Sequence, residues 1–158
     1  MLTAEERLPL FCRELDRYRL DLCGIQEVRW TGSGSCHHEG WTVLYSGQET
    51  AKQQGVALLL NKRMKGAWER GGEVWEAVSP RLLWARLPIN QRRGVVVVVT
   101  YAPTEDEHPW RDAGKADESD AFYDLLSQVL AKVATRDRVI LLGDFNARVG
   151  HDAGTWSG

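Results

Sequence analysis

The sequence predicts an α/β layered fold, and three stretches carry that expectation. In "GVVVVVTYAP" (94–103) five valines stand in a row, which suits a strand buried on both faces. Phe122, Leu125, Leu126, Val129, Leu130 and Val133 then recur at steps of three and four, the spacing of one apolar helix face. "RVILLGDFN" (138–146) follows as another buried strand. A strand, a long connection, a helix and a further strand fit a layered α/β arrangement. At 158 residues the chain suffices for one domain with a core of its own, and it shows neither a repeat nor a domain linker.

The remaining elements follow in chain order. Phe11, Cys12, Leu15 and Tyr18 fall at helical spacing, so a helix is expected over about 9–19, with Pro9 in its first turn. "DLCGIQE" is a short strand that ends in polar residues. "TGSGSCHHEG" is expected to be a loop because of its glycines and serines. "WTVLYSG" and "GVALLLN" are two strands joined by the polar "QETAKQQ", an antiparallel pair. "RLLWARLP" is a strand, and the valine strand after it ends at a turn forced by Pro103. "TEDEHPWRDAGKADES" is a charged, solvated connection. The helix beyond it should run over about 119–134, capped by Asp117 or Ser119.

Composition narrows the function classes. The chain is 43% hydrophobic and 27% charged, which is ordinary for globular protein. A formal net charge of −2 provides no global positive field for nucleic acid, though it leaves room for a local basic groove. Cys12, Cys23 and Cys36 are odd in number and form no C-x-x-C pair, which argues against a disulfide framework or a zinc ribbon. They are expected to be reduced thiols of an intracellular protein. "MLTAEERLPLF" lacks the basic and apolar blocks of a secretory signal, and no apolar run is long enough to cross a membrane.

Polar residues gather at the strand ends. Glu27 closes "CGIQE", Tyr101 closes "VVVVVTY", and Asp144 and Asn146 close "VILLGDFN". Residues i and i+2 point to the same side of an extended chain, so Asp144 and Asn146 can face one site while Phe145 faces the core. Gly143 gives the backbone room for a close approach or a bend. Each residue alone has an ordinary structural reading: a solvated glutamate, a tyrosine with a wet hydroxyl, an Asx turn. Together, at strand ends of a layered fold, they outline a ligand site. His151 sits in a glycine-rich stretch and is taken as a loop side chain. Cys36, His37 and His38 fit no zinc spacing and are assigned to the loop as well.

"IQEVRW", "QGVALLL", "VSPRLLWARL", "VVVTYAPT" and "VILLGDFNARVG", in this order, resemble the endonuclease/exonuclease/phosphatase superfamily over nearly the whole chain. They are most similar to retroelement-derived endonuclease domains and the craniofacial development protein 2-like group. The resemblance implies two packed β-sheets flanked by helices. It also implies a single domain truncated at both ends, without the family's first strand, which carries an asparagine, and without its Ser-Asp-His segment. By resemblance Glu27 is the metal-binding carboxylate, for Mg²⁺ with Mn²⁺ as the alternative. Arg29 is the basic residue beside it and Tyr101 hydrogen-bonds the scissile phosphate. Asp144 orients or deprotonates the attacking water, and Asn146 holds the phosphate or supports Asp144. The implied reaction is one-step, metal-assisted phosphodiester hydrolysis of DNA, with a nuclear location and an open oligomeric state. Without those end segments, this stretch alone is expected to be a weak enzyme or none. A phosphatase of the same superfamily, and a non-catalytic interaction module or truncated gene product, are the alternatives.

Overall fold

The computed structural model describes residues 4–50, 54–104 and 113–146. Strands β1 (Leu22–Gln26), β2 (Ser33–His38), β3 (Trp41–Gly47) and β4 (Gly55–Leu60) form one antiparallel sheet in the order β1-β4-β3-β2. Strands β5 (Trp75–Ser79), β6 (Leu82–Pro88), β7 (Gly94–Tyr101) and β8 (Arg138–Asp144) form a second sheet in that order. Only β7 and β8 in this sheet run parallel, with α3 (Ala113–Lys132) lying in the connection between them. Helix α1 (Ala4–Arg17) precedes β1, and α2 (Lys62–Arg70) follows β4.

The valine run explains how the layers stack. Val97 and Val99 point inward and pack with Leu44, Val56, Leu58, Leu83 and Ala85 between the sheets. Val96 and Val98 point the other way, onto Phe122, Leu126 and Val129 of α3. Successive side chains of a strand alternate faces, so a strand covered on both sides is apolar throughout. On the far side, Cys12 and Leu15 of α1 cover Trp41, Val43, Ala57 and Leu59. The result is helix, sheet, sheet, helix, with the main core between the sheets.

Several expectations change here. The stretch "SGSCHH" is β2, an edge strand, and not a loop. Its residues alternate between exposed and partly covered, and it pairs with β3 from Ser33↔Ser46 to His38↔Trp41. An edge strand needs one partner and one covered face, so serine and glycine are tolerated there. The hairpin closes through Glu39 and Gly40, both at positive φ (45° and 87°), as a two-residue turn of the mirror-image type requires. His37 Nδ1 lies 3.0 Å from Thr42 Oγ1.

Helix α1 begins at Ala4 and ends at Arg17, earlier than expected. Pro9 is therefore inside it, past the first turn whose backbone N–H groups lack intrahelical partners. Helix α3 begins at Ala113, so Asp117 and Ser119 lie within it and not at its start, and the last seven residues of the charged stretch belong to this helix. Residues 105–112 and His151 lie outside the described residues. Helix α2 and strand β5 were not foreseen. Asn61 caps α2 by accepting from Met64 N at 2.9 Å, and Trp68 anchors it in the core between the sheets.

Strand β8 is not buried as expected. Val139, Ile140 and Leu141 are 43%, 41% and 38% exposed. Among the described residues β8 pairs only with β7, which leaves its outer edge open. The cysteines are free thiols; burial pushes Cys12 up to about 11, well into the unreactive range. No helix of the described residues is long and apolar enough to cross a membrane.

Candidate functional site

The site is assembled where β1, β7 and β8 end together. Parallel pairing of β7 with β8 places Tyr101 opposite Asp144. That register depends on Gly143, where an added Cβ would collide with the carbonyl and hydroxyl oxygens of Thr100. Beyond Asp144 the chain turns sharply. Asp144 Oδ1 accepts from Asn146 N at 2.8 Å, Asn146 sits at φ 45°, and Asn146 Nδ2 donates to Ala102 O at 2.6 Å. Ala102 N in turn donates to Asp144 O at 2.9 Å. The two strand ends are thus stitched together, and Phe145 packs against the α3 side of the sheet.

The third component comes from the other sheet. Gly24 in β1 lets the sheets approach closely, because a Cβ there would meet Leu142 Cβ at 3.0 Å and Val99 Cγ1 at 3.3 Å. Glu27, one residue past β1, then reaches Tyr101. Its Oε1 accepts from the Tyr101 hydroxyl at 2.9 Å and its Oε2 accepts from Arg29 Nη2 at 3.3 Å. Glu27 and Arg29 are both at φ 55°. Left-handed backbone is uncommon outside glycine and is sustained only where surrounding contacts fix it. Three of the five assigned site residues, Glu27, Arg29 and Asn146, adopt it.

Electrostatics follow from these contacts. The Tyr101 hydroxyl is pushed above its ordinary pKa, first by its hydrogen bond to the Glu27 carboxylate and then by burial and the charge of Glu27. Asp144 adds in the same direction, and Arg81 opposes it. The Arg81 guanidinium carbon lies 5.1 Å from the centre of the Tyr101 ring.

The donor set bears on a cation. A carboxylate offers about four lone-pair sites, and among the described residues two are engaged on Glu27 and one on Asp144. Hard oxygen ligands of this kind fit Mg²⁺, which keeps several waters and needs few protein ligands. Among the described residues no group of three or more His, Cys, Asp or Glu forms a dedicated cage.

Glu27, Arg29 and Tyr101 therefore form one hydrogen-bonded chain, and Asp144 with Asn146 joins it through the paired ends of β7 and β8. By register, His37 and His38 sit at the opposite end of their sheet from Glu27. Sequence reasoning missed Gly24, a glycine inside a short strand, and Arg81, which follows "SP" just ahead of an apolar strand.

Comparison with known proteins bears on family and fold. The model of the Endonuclease/Exonuclease/phosphatase family matches residues 8–157. Craniofacial development protein 2 of Tragulus javanicus is 31% identical over 144 residues, 91% of this chain and 23% of that protein. The Bos taurus protein of the same name is 31% identical over 147 residues, 91% of this chain and 22% of that protein. The chain thus spans less than a quarter of the length of these curated relatives. The human Nocturnin catalytic domain, solved with bound sulfate anion, superposes with a TM-score of 0.52 at 16% identity, covering 91% of this chain and 58% of that one, a likeness of fold alone. A family match running almost end to end, on two stacked sheets with polar residues at their shared edge, makes this chain a member of the endonuclease/exonuclease/phosphatase family.

Proposed function

We propose that this chain carries part of a Mg²⁺-dependent DNA endonuclease of the retroelement type, acting by one-step hydrolysis of a phosphodiester. The observation that carries the reading is the hydrogen-bonded chain Arg29–Glu27–Tyr101 meeting the Asp144–Asn146 turn at paired strand ends. Rigid strands hold these groups in fixed relative positions, which positional catalysis requires.

Asp144 keeps lone pairs beyond the one given to Asn146 N, and with them it orients a water and accepts its proton. Asn146 uses one amide hydrogen on Ala102 O, leaving the other hydrogen for a phosphate oxygen. Tyr101 has a single hydroxyl proton, which points at Glu27. To donate to a phosphate, the hydroxyl turns away from that carboxylate. Arg29 is 64% exposed and supplies positive charge at the mouth of the site. Glu27 would hold the divalent ion, which when bound supplies charge neutralisation on phosphate oxygens. Family membership supports nucleic acid as the substrate class, and a DNA substrate fits a nuclear location.

The test uses protein carrying this chain, with supercoiled plasmid and inositol phosphates offered in parallel. Mg²⁺-dependent nicking that Glu27→Gln abolishes is expected. Phosphate release from the inositol phosphates without nicking would make the protein a phosphatase and overturn the nuclease reading. Mn²⁺ relaxation of water protons gives a binding readout free of turnover, and an unchanged signal in Glu27→Gln would remove Glu27 as the ion's ligand.

A further inference from the structure

The corner Ser79–Pro80–Arg81, between β5 and β6, is tied to both sheets. Ser46 Oγ donates to Ser79 O at 2.7 Å, and Arg81 N donates to Ser79 Oγ at 3.2 Å. Arg81 O accepts from Tyr101 N at 2.9 Å. The side chain then turns back over the end of β7. Arg81 Nη1 donates to Tyr101 O at 3.3 Å and approaches Ala102 O at 3.5 Å, while Nε and Nη2 contact Glu118 Oε1 of α3 at 3.1 and 3.0 Å. Its face covers the Tyr101 ring, and only 15% of the side chain is exposed.

Two of these acceptors belong to the candidate site. Ala102 O also receives Asn146 Nδ2, so Arg81 and Asn146 share one carbonyl. The Tyr101 ring is bounded by the guanidinium on its face and by Glu27 at its hydroxyl. A guanidinium whose nitrogens already face protein acceptors, in a mostly covered position, has no fork left for a phosphate. Its influence on chemistry runs through Tyr101 and Asn146.

The geometry points to Arg81 as a positioning residue that sets the Tyr101 ring and the carbonyl anchoring Asn146, and that couples both to α3 through Glu118. This deepens the nuclease reading and rests on it for the kinetic part of its test. Lysine cannot replace the arrangement. An ammonium is a compact point charge on a flexible stem, and it cannot reach two carbonyls and a carboxylate with one planar group.

The experiment compares Arg81→Lys, Arg81→Met and Glu118→Gln in protein carrying this chain. Turnover, KM and thermal unfolding are read together, and the fluorine resonance of fluorotyrosine at position 101 is assigned by its loss in Tyr101→Phe. Both Arg81 variants should lose about 10–100-fold in kcat, the scale of a small misplacement, with KM held within about two-fold. Lysine should fail to rescue, and the resonance of position 101 should move in both. Glu118→Gln should shift the same resonance less. It decides the matter if the Arg81 variants do not fold: no shift there would then refute the coupling. Full activity in Arg81→Lys, a loss confined to KM, a loss that tracks only the folded fraction, or an unmoved resonance would each overturn the assignment. Should the parent protein release phosphate from inositol phosphates without nicking plasmid, the nuclease reading itself has failed, and the fluorine resonance still decides the role of Arg81.

Discussion

Replacing Asp144 by Asn separates the chemistry of the site from its architecture. Among the described residues the carboxylate has one structural task, accepting from Asn146 N at 2.8 Å. Asparagine offers an oxygen at the same place, so the turn survives with a neutral hydrogen bond instead of a charge-assisted one. For an exposed side chain that difference is about 1 kcal/mol or less, small against the roughly 5–15 kcal/mol that hold a domain folded. Loss of a positioned general base removes about 10²–10⁴-fold in rate, or about 2.7–5.4 kcal/mol of barrier at 1.36 kcal/mol per decade. The chemical effect should therefore exceed the structural one several-fold. The assay is single-turnover nicking of supercoiled plasmid at saturating Mg²⁺, with thermal unfolding measured on the same samples. Asp144→Ala serves as companion, because it also leaves Asn146 N without its acceptor. The two variants should be equally inactive, and the alanine variant should melt lower. A rate within about three-fold of the parent, with unfolding unchanged, would refute the assignment of Asp144 as the base. A melting collapse in both variants would assign the residue to the turn instead.

Three further outcomes follow from the geometry. Gly143→Ala should cost about 1–3 kcal/mol as an overpacked contact against Thr100, with an activity loss beyond what the denaturant midpoint explains; an alanine tolerated in both assays would show that β7 and β8 can part freely. Asp137 accepts from Arg86 Nε at 2.6 Å, Arg86 Nη2 at 3.0 Å and Gly94 N at 2.6 Å, and its side chain is 3% exposed. Asp137→Asn should destabilise by roughly 3 kcal/mol, the low end for a broken covered pair because Arg86 keeps some solvent. Arg86 holds the Asp137 carboxyl below its ordinary value, so this stabilisation is complete above about pH 4 and is lost as pH falls through the lower folded value. Acid unfolding curves should lose part of their slope in the variant, and identical curves would refute the linkage. Finally, Glu27→Gln removes the main cause of the raised Tyr101 pKa, and ultraviolet titration against Tyr101→Phe should find this phenol titrating lower than in the parent. A phenol that stays high would assign the shift to burial.

What the sequence made legible was whatever depends on neighbours along the chain. The valine run and the helix face of Phe122, Leu126 and Val129 are periodic signals, and they place one strand between two layers. "GDFN" is local too, since an Asx turn and a glycine required by close approach are written within a few residues. Features set by long-range contacts were hidden. Strand β2 looks like a loop because an edge with one covered face permits glycine and serine. Helix α2 is short, and its capping asparagine was the available sign of it. The apolar composition of β8 says that something should cover it, but not that its outer edge is open among the described residues. Arg81 was illegible because its partners, at 101, 102 and 118, come from two other elements.

The in-register pairing of Tyr101 with Asp144 has a consequence for divergence among relatives. Ladder hydrogen bonds between adjacent strands fix the relative position of these two residues, and the intervening chain does not. The connection from Pro103 to the start of α3 can therefore lengthen, shorten or change charge without moving the two groups, since loop closure depends only weakly on length. A one-residue insertion inside either strand would instead turn the site residues to the other face. Substrate preference can thus drift by insertion in one stretch of chain, while tolerance of insertions should fall to nearly nothing within a few residues on either side of it.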